Sequence, residues 1–173
     1  MKKHDPRCER GNEQKVIDDV ASYGWHVMKV LDHNDLPGWA YSIGLHYNFG
    51  HPEIIVFGLD VELMHSMINI IGDDVRSGKR FEIDQKYPDL IEAYSCTFKQ
   101  VMPTWYEPLL GFANWFYKGM NYPVLQCFWP DFDARFPWEG EFAEDMLWAQ
   151  PMLFYDNPSS ARAEKLLSSL ESL

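Results

Sequence analysis

Basic side chains are scarce in this 173-residue chain, where 15 Lys and Arg stand against 26 Asp and Glu for a formal net charge of -11. That balance repels phosphate backbones instead of drawing them in by counterion release, so nucleic acid is not expected as a partner. Cysteine is sparse as well. Cys8, Cys96 and Cys127 form neither a C-x-x-C pair nor an even set, which argues for reduced thiols and against a disulfide framework or a cysteine zinc site. No stretch approaches the roughly 18 uninterrupted apolar residues of a membrane span. The opening MKKHDPRCERGNEQ is charged and has no apolar signal-peptide core, so a cytoplasmic chain is expected. G-x-S-x-G, Walker and G-x-G-x-x-G loops are all missing, which leaves acyl-transfer, nucleotide and dinucleotide chemistry without a signature.

What the chain does have is apolar and aromatic mass: 46% of its residues are hydrophobic, and Phe, Trp and Tyr make up 16% of the chain. A disordered or collagen-like chain is excluded, and one domain over residues 1–173 with a ring-rich core is expected. Helical spacing over NEQKVIDDVASYG puts Val16, Ile17, Val20 and Ala21 on one side, with Gly24 as the stop. WHVMKVLD and WAYSIGL read as strands joined by the turn HNDLPG, residues 33–38. PEIIVFGL is the most β-branched run and the expected central strand. Asp60 then caps a helix carrying Met64, Met67, Ile68, Ile71 and Val75 and ending at Gly78.

Further on, RFEI and AYSCTFKQV read as strands, with Pro88 and Asp89 marking the loop between them. Thr104 and Glu107 form a T-x-x-E capping box for a third helix bearing Leu109, Leu110, Ala113, Phe116 and Tyr117. PVLQCFW is a last strand, PDFDARFPWEGEF a long loop, and NPSSARAEKLLSSLESL a closing helix with Leu166, Leu167, Leu170 and Leu173 on its buried side. The order implies an α+β fold, a mostly antiparallel twisted sheet or partly closed sheet like a split barrel, flanked by helices.

Two loops hold the candidate binding residues. YSIGLHYNFGHPEIIVFGL carries His46, His51 and Glu53 within eight positions. The spacing H-x4-H-x-E has no mechanical rationale of the kind behind a zinc helix, so a metal is not expected; the competing readings are a glycine-built loop and a ligand or protein contact. The second loop sets Asp131, Asp133 and Glu139, with Glu141, beside Trp138 and other rings. It lacks the glycine and distal glutamate of an EF-hand, and the aromatic and acidic mixture suits a protein contact better. Cys96 and Cys127 fall inside expected strands as buried small residues; Cys8, between Arg7 and Arg10, has no assignable base.

The segments YGWHVMKV, WAYSIGL, FGHPEIIVFGL, PVLQCFWPD, FPWE and QPMLF, over most of residues 23–154, resemble in content and order a bacterial group known as domain of unknown function 4262. The resemblance implies a bacterial cytoplasmic domain and brings no catalytic residue or cofactor with it. The functional expectation is therefore a non-enzymatic interaction module, of immunity type, for a basic protein partner. A colourless protein without cofactor goes with that reading. The alternatives are a small-ligand or flavin-binding split barrel and, third, a hydrolase with a metal on His46, His51 and Glu53. All of this places both aromatic-lined loops side by side on one rim of the sheet.

Overall fold

The computed structural model of the protein describes residues 13–33, 36–155 and 168. In chain order it forms α1 (Glu13–Ser22), β1 (His26–Val30), β2 (Trp39–Ile43), α2 (Leu45–Phe49), β3 (Glu53–Phe57) and α3 (Val61–Arg76). β4 (Lys86–Ile91), β5 (Tyr94–Gln100), α4 (Tyr106–Leu109), α5 (Gly111–Phe116) and β6 (Val124–Phe128) follow, with 3-10 turns at Pro103–Trp105 and Glu144–Ala149. The expected closing helix, apart from Ser168, and Cys8 lie outside the described residues. No helix among the described residues is long and apolar enough to cross a membrane.

The strands form one open sheet in the order β1-β2-β3-β6-β5-β4. Neighbours are antiparallel except the central pair β3 and β6, which run parallel with Glu53 opposite Val124 and Val56 opposite Cys127. These two strands are buried along their whole length, which is why EIIVF and VLQCF are nearly continuous apolar runs rather than alternating ones. The α+β expectation holds in its open form: β1 and β4 are edges, and the sheet does not close into a barrel.

Strand periodicity divides the core in two. Ile55 and Phe57 join Trp39, Tyr41 and Ile43 on the face covered by α1, α4 and α5. Ile54 and Val56 join Phe98 and Cys127 on the face covered by α3, whose Met64, Met67, Ile68, Ile71 and Val75 all point inward. Asp60 caps α3 as expected, its carboxylate accepting from Glu62 N at 3.0 Å and Leu63 N at 3.2 Å. The helix can approach β1 closely because position 72 is glycine: a Cβ there would overlap the Trp25 indole.

Three expectations are corrected. RFEI is not a strand; β4 is KYPDLI, starting six residues later, and it contains the Pro88 and Asp89 expected to mark a loop. Proline lacks the N–H a central strand must donate, but β4 is an edge, and it bulges between Tyr87 and Ile91 with Asp89 at φ 72°. The third helix is broken into a 3-10 turn, α4 and α5, and no side chain caps any of them. Pro108 inside α4 and Gly111 at the start of α5 defeat the continuous helix that the leucine spacing suggested. The loop before β3, in turn, contains the short helix α2, whose five residues are too few to show a periodicity.

Candidate functional site

Gly44 at φ 117° and Gly50 at φ 63° bracket α2 in left-handed conformations, the role expected of the glycines in this loop. The Glu53 carboxylate, 1% exposed at the start of β3, closes the turn from below. Its Oε1 accepts from Gly44 N at 2.8 Å, from His46 N at 3.2 Å and from the Tyr117 hydroxyl; its Oε2 accepts from the Ser42 hydroxyl. Ser42 Oγ also accepts from Ile54 N at 2.9 Å, and the Tyr117 oxygen from Tyr47 N at 3.2 Å. Three of these donors converge on Oε1 and one on Oε2. A buried carboxyl is tolerated when such donors replace the water it loses. Burial, and then the adjacent Glu53 charge, push the Tyr117 phenol far above its ordinary range, so it stays a donor.

His51 is equally committed. Its Nδ1 donates to Pro52 O at 2.7 Å and its Nε2 accepts from Phe81 N at 3.1 Å, which fixes the tautomer and ties the segment after α3 to the α2 loop. Burial lowers its pKa, so the imidazole is neutral. With both ring nitrogens of His51 and both oxygens of Glu53 engaged in hydrogen bonds, the metal reading of His46, His51 and Glu53 does not fit. Among the described residues no group of three or more His, Cys, Asp or Glu is arranged for a metal. His46 differs from its neighbours: its ring lies 5.9 Å from that of Tyr117, and its Nδ1 is buried without a hydrogen-bond partner.

The second loop is held by the same device. Asp131, 2% exposed, accepts from Asp133 N and Arg135 N at 2.9 Å each through Oδ1 and from Ala143 N at 3.0 Å through Oδ2. Burial acts to raise its pKa, but those three N–H bonds and the Arg135 charge outweigh it and leave the carboxyl below its ordinary range. Glu139 Oε2 accepts from Phe136 N at 2.6 Å, while Asp133 and Glu141 each lie 3.5 Å from the Arg135 guanidinium. Trp138 stacks on Phe136 at 5.2 Å and meets Phe128 edge-on, with Lys99 Nζ 4.8 Å above its ring. The carboxylates thus turn to separate loop-holding tasks and do not converge on one point.

The two loops are not side by side. β3 and β6 are parallel, so the α2 loop enters at their N-terminal end and residues 129–143 leave from their C-terminal end. A five-residue strand separates them by roughly 17 Å at about 3.3 Å per residue. The single recognition rim expected from the sequence is therefore replaced by two separate ends.

Ser42 and Tyr117 were not anticipated as partners of Glu53. Ser42 is a strand residue with nothing to distinguish it, and Tyr117 lies 64 positions away on a helix stripe that reads as core. Cys96 and Cys127 are buried, and the Cys96 thiol beside Cys127, together with burial, pushes the Cys127 thiol up, away from nucleophile character. In comparison with known proteins, a family model described as "Domain of unknown function (DUF4262)" matches residues 19–143. No curated protein and no solved structure matches the chain.

Proposed function

The chain belongs to the DUF4262 family, and from its own surface we propose that it is a non-enzymatic binding module for a protein with a basic surface, met through residues 129–155. The carrying observation is the exposure of large rings among acids on this one stretch. Phe132 is 81% exposed, Trp148 57% and Tyr155 53%. The same stretch holds six Asp and Glu against the single base Arg135. Exposed rings supply the apolar centre of a contact, and a surround of one charge selects the partner and speeds encounter.

The stretch is also organised in advance. Asp131 gathers the loop, and Gln150 both donates to Trp129 O at 2.8 Å and accepts from Trp129 N at 3.0 Å, fastening the 3-10 turn to the end of β6. Binding then spends little free energy on ordering the loop. An immunity-type inhibitor, covering the basic active surface of a toxin, is the specific form we favour. The flavin alternative loses the barrel that motivated it, because the sheet is open.

Photo-crosslinking from positions 132 and 148 in the native cells tests this, with position 17, exposed on α1, as the control. Adducts to a protein of high isoelectric point from 132 and 148 only, weakening as salt is raised, are expected. Equal adducts from all three positions, or none from 132 and 148, would overturn the proposal.

A further inference from the structure

A groove of about 390 Å³ lies at the β1 edge of the sheet, between α1, β1 and α3, remote from residues 129–155. Its floor is Trp25 and Val27, and its polar walls are Lys15 and Asp19 from α1, His26 from β1, and His65, Asn69, Asp73 and Arg76 from α3. None of these residues takes part in the loops described above.

The walls are tied in place. His26 Nδ1 lies 2.7 Å from Asp19 Oδ2, which also takes Lys15 Nζ at 2.8 Å. The Trp25 indole N–H donates to Asn69 Oδ1 at 3.0 Å, and Asn69 Nδ2 lies 3.3 Å from His65 Nε2. Arg76 donates to Tyr23 O at 2.9 Å, pairs with Asp73 and sits 4.7 Å above the Trp25 ring. His26 is 8% exposed. Its Nε2 has no hydrogen-bond partner among the described residues, yet it is not among the buried unpartnered atoms, so what exposure the ring has includes this nitrogen. Asp19 holds the ring so that the second nitrogen opens on the groove.

Unspent donor capacity in the groove sits on Lys15 and Arg76, beside one oxygen each of Asp19 and Asp73 that takes no donor among the described residues. Asp19 Oδ2 is doubly used and Asp73 is bound to Arg76, whereas Lys15 and Arg76 retain N–H groups beyond those bonds and His26 retains Nε2. Lys15 and Arg76 cancel Asp19 and Asp73 in charge, so a proton on His26 makes the site positive. The groups facing His26 are Asp19 and Lys15 from α1 and His65 from α3; one shell further out, Lys29 of β1 pairs with Glu62 of α3 at 3.0 Å. We propose that this groove binds a small oxyanion, a phosphate or carboxylate group, between Lys15, Arg76 and a protonated His26, and takes up a proton as it does so.

Burial lowers the pKa of His26 in the empty groove despite Asp19, so an arriving anion supplies the charge that makes protonation favourable. Calorimetric titration of the full chain with inorganic phosphate and, separately, acetate, in two buffers of different ionisation enthalpy, tests this. Saturable binding with uptake of about one proton is expected, weakening up to about tenfold per pH unit above the histidine range. Tighter binding of phosphate than acetate assigns a phosphorylated ligand, and the reverse a carboxylate. His26→Gln should abolish the proton uptake and Arg76→Gln should weaken binding at least about tenfold, the loss of one charged contact. Absence of saturable binding by either anion, or binding whose proton uptake survives His26→Gln, would refute the assignment.

Discussion

The two ends of the β3–β6 pair solve one problem in two ways. Each anchors a loop with a buried carboxylate that collects backbone N–H groups, but Asp131 takes all three from its own loop, at 133, 135 and 143. Glu53 takes two from the α2 turn and adds hydroxyls from Ser42 on β2 and Tyr117 after α5. The Asp131 loop is therefore self-contained, whereas the Glu53 loop is a joint between elements far apart in sequence. A local anchor shapes a surface without committing the rest of the fold, which suits the exposed rings of residues 129–155. A joint commits the whole sheet and its helices, which suits a position that ties β2, β3, α2 and the end of α5 together.

The sharpest way to break that contrast is Glu53→Ala. It strands four buried or half-buried donors and should cost about 3–5 kcal/mol in chemical denaturation, as removal of one partner from a buried charged network does. A loss below about 1 kcal/mol would mean that the carboxylate is not a joint. Tyr117→Phe removes the charge-assisted bond to Glu53 and the bond accepted from Tyr47 N, and should cost about 1.5–3 kcal/mol; amide exchange should then quicken in both α2 and α5, since the second bond links them.

Asp131→Ala should lower Tm less than either, with faster exchange confined to residues 131–143. Exchange spreading into β3 would erase the distinction between local and non-local anchors. The gentlest effect is on pH dependence. The folded-state pKa values of His26 and His51 are depressed, so the stability they confer is present above the unfolded-state value of about 6.5 and is lost as pH falls through the folded values. Asp131, also depressed, contributes above about pH 3.9 and is lost only at still lower pH. Thermal melts should show two steps, and His51→Gln should flatten the upper one in part. A single step near pH 4, unaltered by His51→Gln, would contradict the neutral structural role of His51.

Much of the fold was legible in the sequence, and where it was not the reason is physical. The central strand, the Asp60 cap, the α3 stripe and the left-handed glycines around α2 each depend on neighbours a few positions away, and all are present. β4 was misplaced because proline and a left-handed Asp read as a loop unless one knows that the strand is an edge, and edge status depends on which strand pairs with which. The third helix was read as continuous because Leu109, Leu110, Ala113, Phe116 and Tyr117 keep helical spacing across Gly111, and packing tolerated the break. As for the loops, their residue types were correctly singled out, but their relative placement and the partners of Glu53 were beyond reach of local pattern.

The sequence by itself determined the classes of chemistry without a signature, the α+β mixture of strands and helices, and the family, because composition, periodicity and motif order are properties of the chain alone. Only the tertiary structure decided that β3 and β6 run parallel, that the two loops consequently face opposite ends, that His51 and Glu53 are fully engaged, and that His26 meets Asp19 beside a groove. Those outcomes depend on hydrogen bonds between residues whose separation along the chain carries no information about their distance in space.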